Sequence, residues 1–206
     1  MKNTIDKLNR RILEISINHK LSHLGSCFTA LPLIYEIYNK KEYHDKFVLS
    51  SGHAGLALYV VLEHFYGVDA EHLLETYGIH PERALENFID VSTGSLGLGI
   101  TIATGIALAN SDIKVYCLIS DGESAEGSVW EALRFIDEKE IKNIEVHVNV
   151  NGWAAYKPVD SEKLTQRLKL FLPSINIHYT DVNEIIQFET PLAAHYVAAS
   201  NNMKIK

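Results

Sequence analysis

The sequence predicts an α/β fold of three layers, helices on both faces of a mainly parallel sheet, and three stretches near its middle carry that expectation. Val115 to Ile119 is an unbroken apolar run, as a strand covered on both faces requires. Gly127 to Lys139 sets Val129, Trp130, Leu133 and Ile136 three and four residues apart, the spacing of one helix face. Ile144, Val146, Val148 and Val150 then alternate with polar residues. Strand, helix, strand is a crossover unit, so both strands run parallel and deliver their carboxyl ends to one edge of the sheet.

The other elements follow in chain order. Ile5, Leu8, Ile12, Leu13 and Ile15 describe an amphipathic helix with Thr4 placed to cap it. Thr29 to Tyr38 reads as a second helix with Pro32 near its start. Phe47 to Leu49 is a short apolar run ended by a turn through His53, and a helix follows from about Gly55 to Phe65. The glycine-rich turn Ser95-Leu96-Gly97-Leu98-Gly99 opens a helix over Ile100 to Ala109. Its small residues, Ala103, Gly105, Ala107 and Ala109, allow its backbone to approach a neighbour closely. Beyond Val150 the pattern gives a charged helix near Ser161 to Phe171, then strands at Ile175 to Tyr179 and His195 to Ala199. No repeat or linker divides the chain, so residues 1–206 are expected to form a single domain.

Composition removes several function classes. With 206 residues, 47% hydrophobic and 22% charged, the chain has the makings of a buried core and not of a disordered tail. A net charge of −7 without a basic run argues against a nucleic-acid or anionic-membrane surface. Lys2, Asp6, Lys7, Arg10 and Arg11 interrupt the first turns, so no signal-peptide core is present. Leu96 to Ala109 is broken by glycine and threonine and is shorter than the roughly 20 residues of a bilayer span. A cytoplasmic location with Cys27 and Cys117 reduced is the expectation.

Chemistry concentrates at two strand ends. Asp121 and Asn151 stand thirty positions apart, about one crossover unit, each just after a strand. A carboxylate and an amide oxygen are hard donors suited to Mg2+ or Ca2+, and the turn Gly152-Trp153 offers a backbone carbonyl as a third. Such a half-open octahedral ion is completed by water and phosphate oxygens, which predicts a diphosphate ligand. The helix that opens at the glycine-rich turn would add its N-terminal N–H groups to that anion. Asp-Gly and Asn-Gly are also common turn pairs, and the spacing alone does not decide between the two readings.

Longer blocks extend the pattern. Ser120-Asp121-Gly122-Glu123, Glu126-Gly127-Ser128-Val129-Trp130-Glu131-Ala132 and Asn151-Gly152 together resemble the thiamine diphosphate motif of transketolases. Ser22-His23-Leu24-Gly25-Ser26, Phe47 to Ala54, and His80-Pro81-Glu82 followed by Ser92 to Gly97 stand in the order of that family, and the resemblance runs from about residue 5 to 157. It implies a thiamine-diphosphate-binding fold of the diphosphate-binding type. It also implies a metal held by Asp121, Asn151 and the carbonyl of Trp153, with Gly122 and Glu123 against the diphosphate and Gly94, Ser95 and Leu96 lining the cofactor cleft. His53 matches a histidine near the diphosphate and the reacting centre, and His23 and His80 match those that contact the donor sugar. Glu126 matches a glutamate between active sites, and His195 a further substrate histidine. His19, His44, His64, His72, His147 and His178 lie outside these blocks and are read as surface or core residues.

Departures from the family pattern are specific. Ser120 stands for a glycine, Asn149 for a frequent aspartate and Leu24 for a proline, which together predict weaker cofactor binding. Nothing in the sequence resembles the pyrimidine-binding or C-terminal domains, so the resemblance implies the N-terminal subunit of a split transketolase. Such a subunit transfers two-carbon ketol units between sugars, phosphorylated or not, only with a separate C-terminal subunit carrying the pyrimidine-binding domain. A homodimer core within a heterotetramer is the implied assembly. A non-catalytic module for thiamine diphosphate and Mg2+, or half of a 2-oxoacid dehydrogenase or deoxyxylulose-phosphate synthase, are the alternatives.

Overall fold

Four strands pair in the order β1 (Lys46–Leu49), β2 (Val115–Ser120), β3 (Ile144–Val150) and β4 (Asn176–Tyr179), every pair parallel. They belong to a computed structural model of the chain that describes residues 2–154, 157–190 and 193–206. Successive side chains of β1 and β2 enter opposite layers, as the two-residue strand period demands. Phe47, Leu49, Tyr116 and Leu118 join a core with α1 (Lys2–Asn18), α2 (Leu24–Lys40), α3 (Gly55–Tyr66) and α4 (Ala70–Tyr77). Val48, Cys117, Ile119, Val146 and Val148 join the other core, with α5 (Leu98–Ala109), α6 (Gly127–Glu138) and α7 (Ser161–Phe171). The three layers expected from the sequence are therefore present, with β2 at the centre and wholly buried.

β3 shows how a polar face is accommodated inside. Its apolar residues face α6 and α7, while His147 and Asn149, turned to the other layer, are 5% and 3% exposed. His147 meets His178 of β4 at 2.9 Å, ring over ring, and Asn149 bonds Thr29 of α2. Burial of these groups is tolerated because each finds a partner.

Several boundaries differ from the sequence reading. α1 already runs at Lys2, so Thr4 lies within the helix and caps nothing. α2 begins at Leu24, five residues before the expected start, and Pro32 sits in its interior, where it leaves the carbonyl of Phe28 without its helical N–H. His195 to Ala199 is not a strand: α8 (Ala193–Tyr196) is a single turn packed on α2, where a Cβ on Gly25 would come within 2.9 Å of Ala194 Cβ. α4 had no counterpart among the expected elements, although Asp69 caps it through the N–H groups of Glu71 and His72. Among the described residues no helix is long and apolar enough to cross a membrane, and both cysteines are buried and unpaired.

Candidate functional site

The carboxyl ends of β2 and β3 place Asp121 and Asn151 beside each other. The Asp121 N–H donates to the Asn149 carbonyl at 3.0 Å, and the Asp121 carboxylate accepts from the N–H groups of Gly152 at 2.7 Å and Gly122 at 2.9 Å. Asn151 Oδ1 accepts from the Trp153 N–H at 3.0 Å. The Trp153 carbonyl faces the same turn, 3.6 Å from where a Cβ on Gly122 would stand. Gly152, at φ +83°, makes the tight reversal that brings these oxygens together. The three expected metal donors thus come from two loops that meet at one sheet edge.

Asp121 is 3% exposed, and among the described residues no cationic side chain pairs with it. Burial raises its pKa to about 6, against the pull of the surrounding N–H groups. A desolvated carboxylate grouped with an amide oxygen and a main-chain oxygen suits a hard divalent cation, which would supply the missing positive charge. The set holds only one acidic side chain, consistent with no cluster of three or more His, Cys, Asp or Glu ligands among the described residues.

The opposite wall of the cleft is built of histidines. The His53 ring lies 6.1 Å from that of His23, and the His195 ring is likewise 6.1 Å from His23. His53 Nε2 meets Ser26 Oγ at 3.1 Å, and His23 Nδ1 meets Ser22 Oγ at 3.0 Å. His23 takes a left-handed backbone, φ 62°, uncommon for a residue with a Cβ. Its N–H donates to the His195 carbonyl at 2.8 Å, so docking of α8 holds that conformation. Strain of this kind persists where surrounding contacts fix it, and here it aims a histidine at the cleft. His80 stands at the rim, packed against Gly94, where an added Cβ would meet its ring at 3.0 Å. Gly94 has φ +149° and tolerates no side chain there.

Burial lowers the pKa of His53 to about 4, with further lowering from His23, His195 and His80. His23 and His195 are lowered in the same sense, chiefly by burial. His53 is therefore neutral at pH 7. Because the unfolded chain takes up this proton below about 6.5 and the folded chain only near 4, the folded state binds fewer protons between those values. The contribution of His53 to stability is expected to fall as pH drops from 6.5 to 4, against the opposite contribution of Asp121, with the His53 ring titrating near 4 by NMR; a midpoint near 6.5 would contradict its burial.

The cleft between these walls encloses about 540 Å³. His23, His53, Gly94, Leu96, Asp121 and Asn151 all border it, as do Gly122, Glu126, Trp153 and His195. Three expected residues are placed differently. His80 and Ser95 are exposed and do not border the cleft. Glu123 forms part of the cleft floor with no exposed surface, its carboxylate turned inward to Ser50 Oγ at 2.5 Å and the Gly97 N–H at 2.7 Å. Since the Ile100 N–H is held by Ser50 Oγ at 3.0 Å and the Leu98 N–H by the Ser95 carbonyl at 3.2 Å, the N–H groups of Gly97, Leu98 and Ile100 at the opening of α5 are taken within the chain and are not offered to an anion, contrary to expectation. Ser120 fits without strain, its hydroxyl accepting from the Glu123 N–H at 3.1 Å. Ser26, Lys157 and Tyr196 also border the cleft and went unassigned in the sequence, although Ser26 and Tyr196 adjoin residues that were marked. Of the histidines set aside, His19 pairs with Glu71, His44 with Glu42 and Asp45, and His64 packs on Tyr35 and Phe65.

Comparison with known proteins gives the family and the fold. Residues 36–154 match the family described as "Transketolase, thiamine diphosphate binding domain". A bovine transketolase-like protein 2 is 40% identical over 119 residues, 52% of this chain and 19% of that protein. One subunit of an apulose-4-phosphate transketolase, from Phocaeicola vulgatus, is 32% identical over 166 residues, 71% of this chain and 59% of that one. The chain thus spans less than two thirds of the length of these curated relatives. The crystal structure of a transketolase from Campylobacter jejuni superposes with a TM-score of 0.72 at 21% identity, over 96% of this chain and 40% of that chain, a likeness of fold.

Proposed function

The chain belongs to the transketolase family, matched through its thiamine diphosphate binding domain, and from that premise we propose that it is the diphosphate-binding subunit of a split, transketolase-type transferase. The observation that carries the reading is the meeting of Asp121, Asn151 and the Trp153 carbonyl across one cleft from His23, His53 and His195. When bound, thiamine diphosphate supplies an electron sink for breaking and making a carbon–carbon bond beside a carbonyl.

Asp121, Asn151 and the Trp153 carbonyl hold Mg2+, and through it the diphosphate, with Gly122 and Glu123 contributing backbone at that turn. Gly94 and Leu96 form the adjoining edge. His53 works as a neutral imidazole near the reacting centre, able to pass a proton without first losing one. His23, His80 and His195 donate and accept hydrogen bonds to hydroxyls of a sugar donor. Glu126, on the cleft wall, faces the assembly between active sites.

Residues 1–206 act as one domain, with the pyrimidine-binding domain on a separate C-terminal subunit. The Phocaeicola relative is by name one subunit of its transketolase, which supports such a division. Leu98 and Leu108 of α5, 47% and 60% exposed, are the apolar surface we assign to a second copy, giving a homodimer core within a heterotetramer. The purified chain alone is expected to show no ketol transfer. Mixing it with a subunit carrying the pyrimidine-binding domain should restore transfer that depends on thiamine diphosphate and Mg2+; robust transfer by the single chain would refute the split. In the reconstituted enzyme His23→Ala and His80→Ala should each lower ketol transfer at least about tenfold, the loss of one hydrogen bond to a transition state, while leaving cofactor affinity within about threefold. Equal loss of both would make these histidines structural.

A further inference from the structure

One buried amide joins the two walls of the cleft. Asn149, 3% exposed, lies on β3 two residues before Asn151. Its Nδ2 donates to Thr29 Oγ1 at 2.9 Å, and its Oδ1 accepts from Thr180 Oγ1 at 2.6 Å. Thr29 donates its own hydroxyl proton to the Gly25 carbonyl at 2.8 Å, in the first turn of α2 between His23 and the Ser26 that meets His53. Thr180 is tied to the same strand end, its N–H donating to the Val150 carbonyl at 3.0 Å. The line from Thr180 through Asn149 and Thr29 to Gly25 therefore runs from the loop bearing Asn151 to the helix turn bearing the histidine wall.

We propose that Asn149 is a positioning residue that fixes the loop of Asn151, Gly152 and Trp153 relative to the histidine wall, and that this site demands an amide there. Thr29 has one hydroxyl proton, already directed at Gly25, so it presents only lone pairs to residue 149. An amide meets this with an N–H while its oxygen takes the proton of Thr180. A carboxylate accepts only, and would set oxygen against oxygen in a site closed to water, or draw the Thr29 hydroxyl off Gly25. The amide that departs from the family's frequent aspartate is thus the group its own neighbours require. What the loop positions, a metal and its diphosphate, rests on the reading above; the hydrogen-bonded line does not.

Amide hydrogen exchange on the full chain tests this without a ligand. Loss of one buried hydrogen bond corresponds to about a tenfold change in a local opening equilibrium. N149D, N149A and T29V should each speed exchange at Gly152 and Trp153 about tenfold or more, with β2 amides changed less than about threefold. T29S, which keeps the hydroxyl, should match the parent chain. N149A/T29V should be no faster than about twice the larger single effect, because both variants break the same bond. Unchanged exchange at Gly152 and Trp153 in folded N149D, or effects of N149A and T29V that multiply, would overturn the proposal. Should N149D not fold, T29V against T29S decides it. A parallel titration with thiamine diphosphate and Mg2+ separates the two ideas: a parent chain that binds neither strikes the functional reading and leaves the exchange result to stand on its own.

Discussion

Asp121→Ala is expected to lower metal-dependent binding of thiamine diphosphate by about a hundredfold or more, measured by calorimetry with Mg2+ present. Of the three oxygens that converge at the sheet edge, only the Asp121 carboxylate carries charge; the Asn151 amide and the Trp153 carbonyl are neutral. A divalent cation stripped of half its water shell has no other anionic protein donor at this turn, since the Glu123 carboxylate is turned away to Ser50 and Gly97. Changes to groups that merely support a metal ligand cost tenfold to a hundredfold, so removal of the charged ligand itself lies at or above that range. A hundredfold loss corresponds to about 2.7 kcal/mol, within what one charged ligand contributes.

Asp121 also accepts from the Gly152 and Gly122 N–H groups, so alanine removes a loop anchor together with the charge. Asp121→Asn separates the two. It keeps the shape and one of the two oxygen acceptors but turns an NH2 towards the other backbone N–H, so its thermal midpoint is expected to lie between those of the parent chain and Asp121→Ala, while most of the metal-dependent affinity is lost. If Asp121→Asn bound thiamine diphosphate and Mg2+ as the parent does, Asp121 would be no metal ligand, and the site reading would fail there. Affinity lost only in step with folding would reduce the residue to a turn anchor, the alternative that the Asp-Gly and Asn-Gly pairs left open.

What the sequence made legible follows from which forces are local. The apolar run of β2, the face of α6 and the alternation of β3 are patterns of burial, and each came out within a residue or two at its ends. The convergence of Asp121 and Asn151 was legible for the same reason, since a strand–helix–strand unit with parallel strands leaves little choice of edge. The start of α2 was not, because Leu24, Gly25 and Ser26 enter the helix through contacts with distant residues: α8 against Gly25, the His195 carbonyl on the His23 N–H, and His53 on Ser26. His195 to Ala199 misled in the same way. A short mixed stretch has no period of its own, and docking on α2 makes it a helical turn. The role of Glu123 was hidden because capping the α5 opening from a loop 26 residues away leaves no periodic trace.

Gly99→Ala is expected to lower stability by about 2–3 kcal/mol, whereas Gly105→Ala, further along the same helix, should be neutral or stabilising by up to about 1 kcal/mol. Both substitutions remove the same backbone freedom and raise helix propensity alike, so the difference between them isolates packing. A Cβ at Gly99 would stand 2.5 Å from Ser50 Cα and 2.7 Å from Ser50 Cβ, where β1 leads into the turn towards His53. Main chain cannot yield there as a flexible side chain would, because Ser50 is 0% exposed, its N–H bonds the Leu118 carbonyl, and its hydroxyl bridges Glu123 and the Ile100 N–H. α5 must retreat from the sheet, loosening both the buried Glu123 and the wall that Gly94 and Leu96 lend to the cleft. A Cβ at Gly105 meets nothing within 4 Å. The close approach thus falls at Gly99 in the first turn of α5 and not at Gly105, one of the small residues on which the sequence reading placed it, and denaturant midpoints of the two variants test it directly. Equal effects of the two substitutions would mean that α5 does not press on Ser50, and would remove the packing that sets this edge of the cleft.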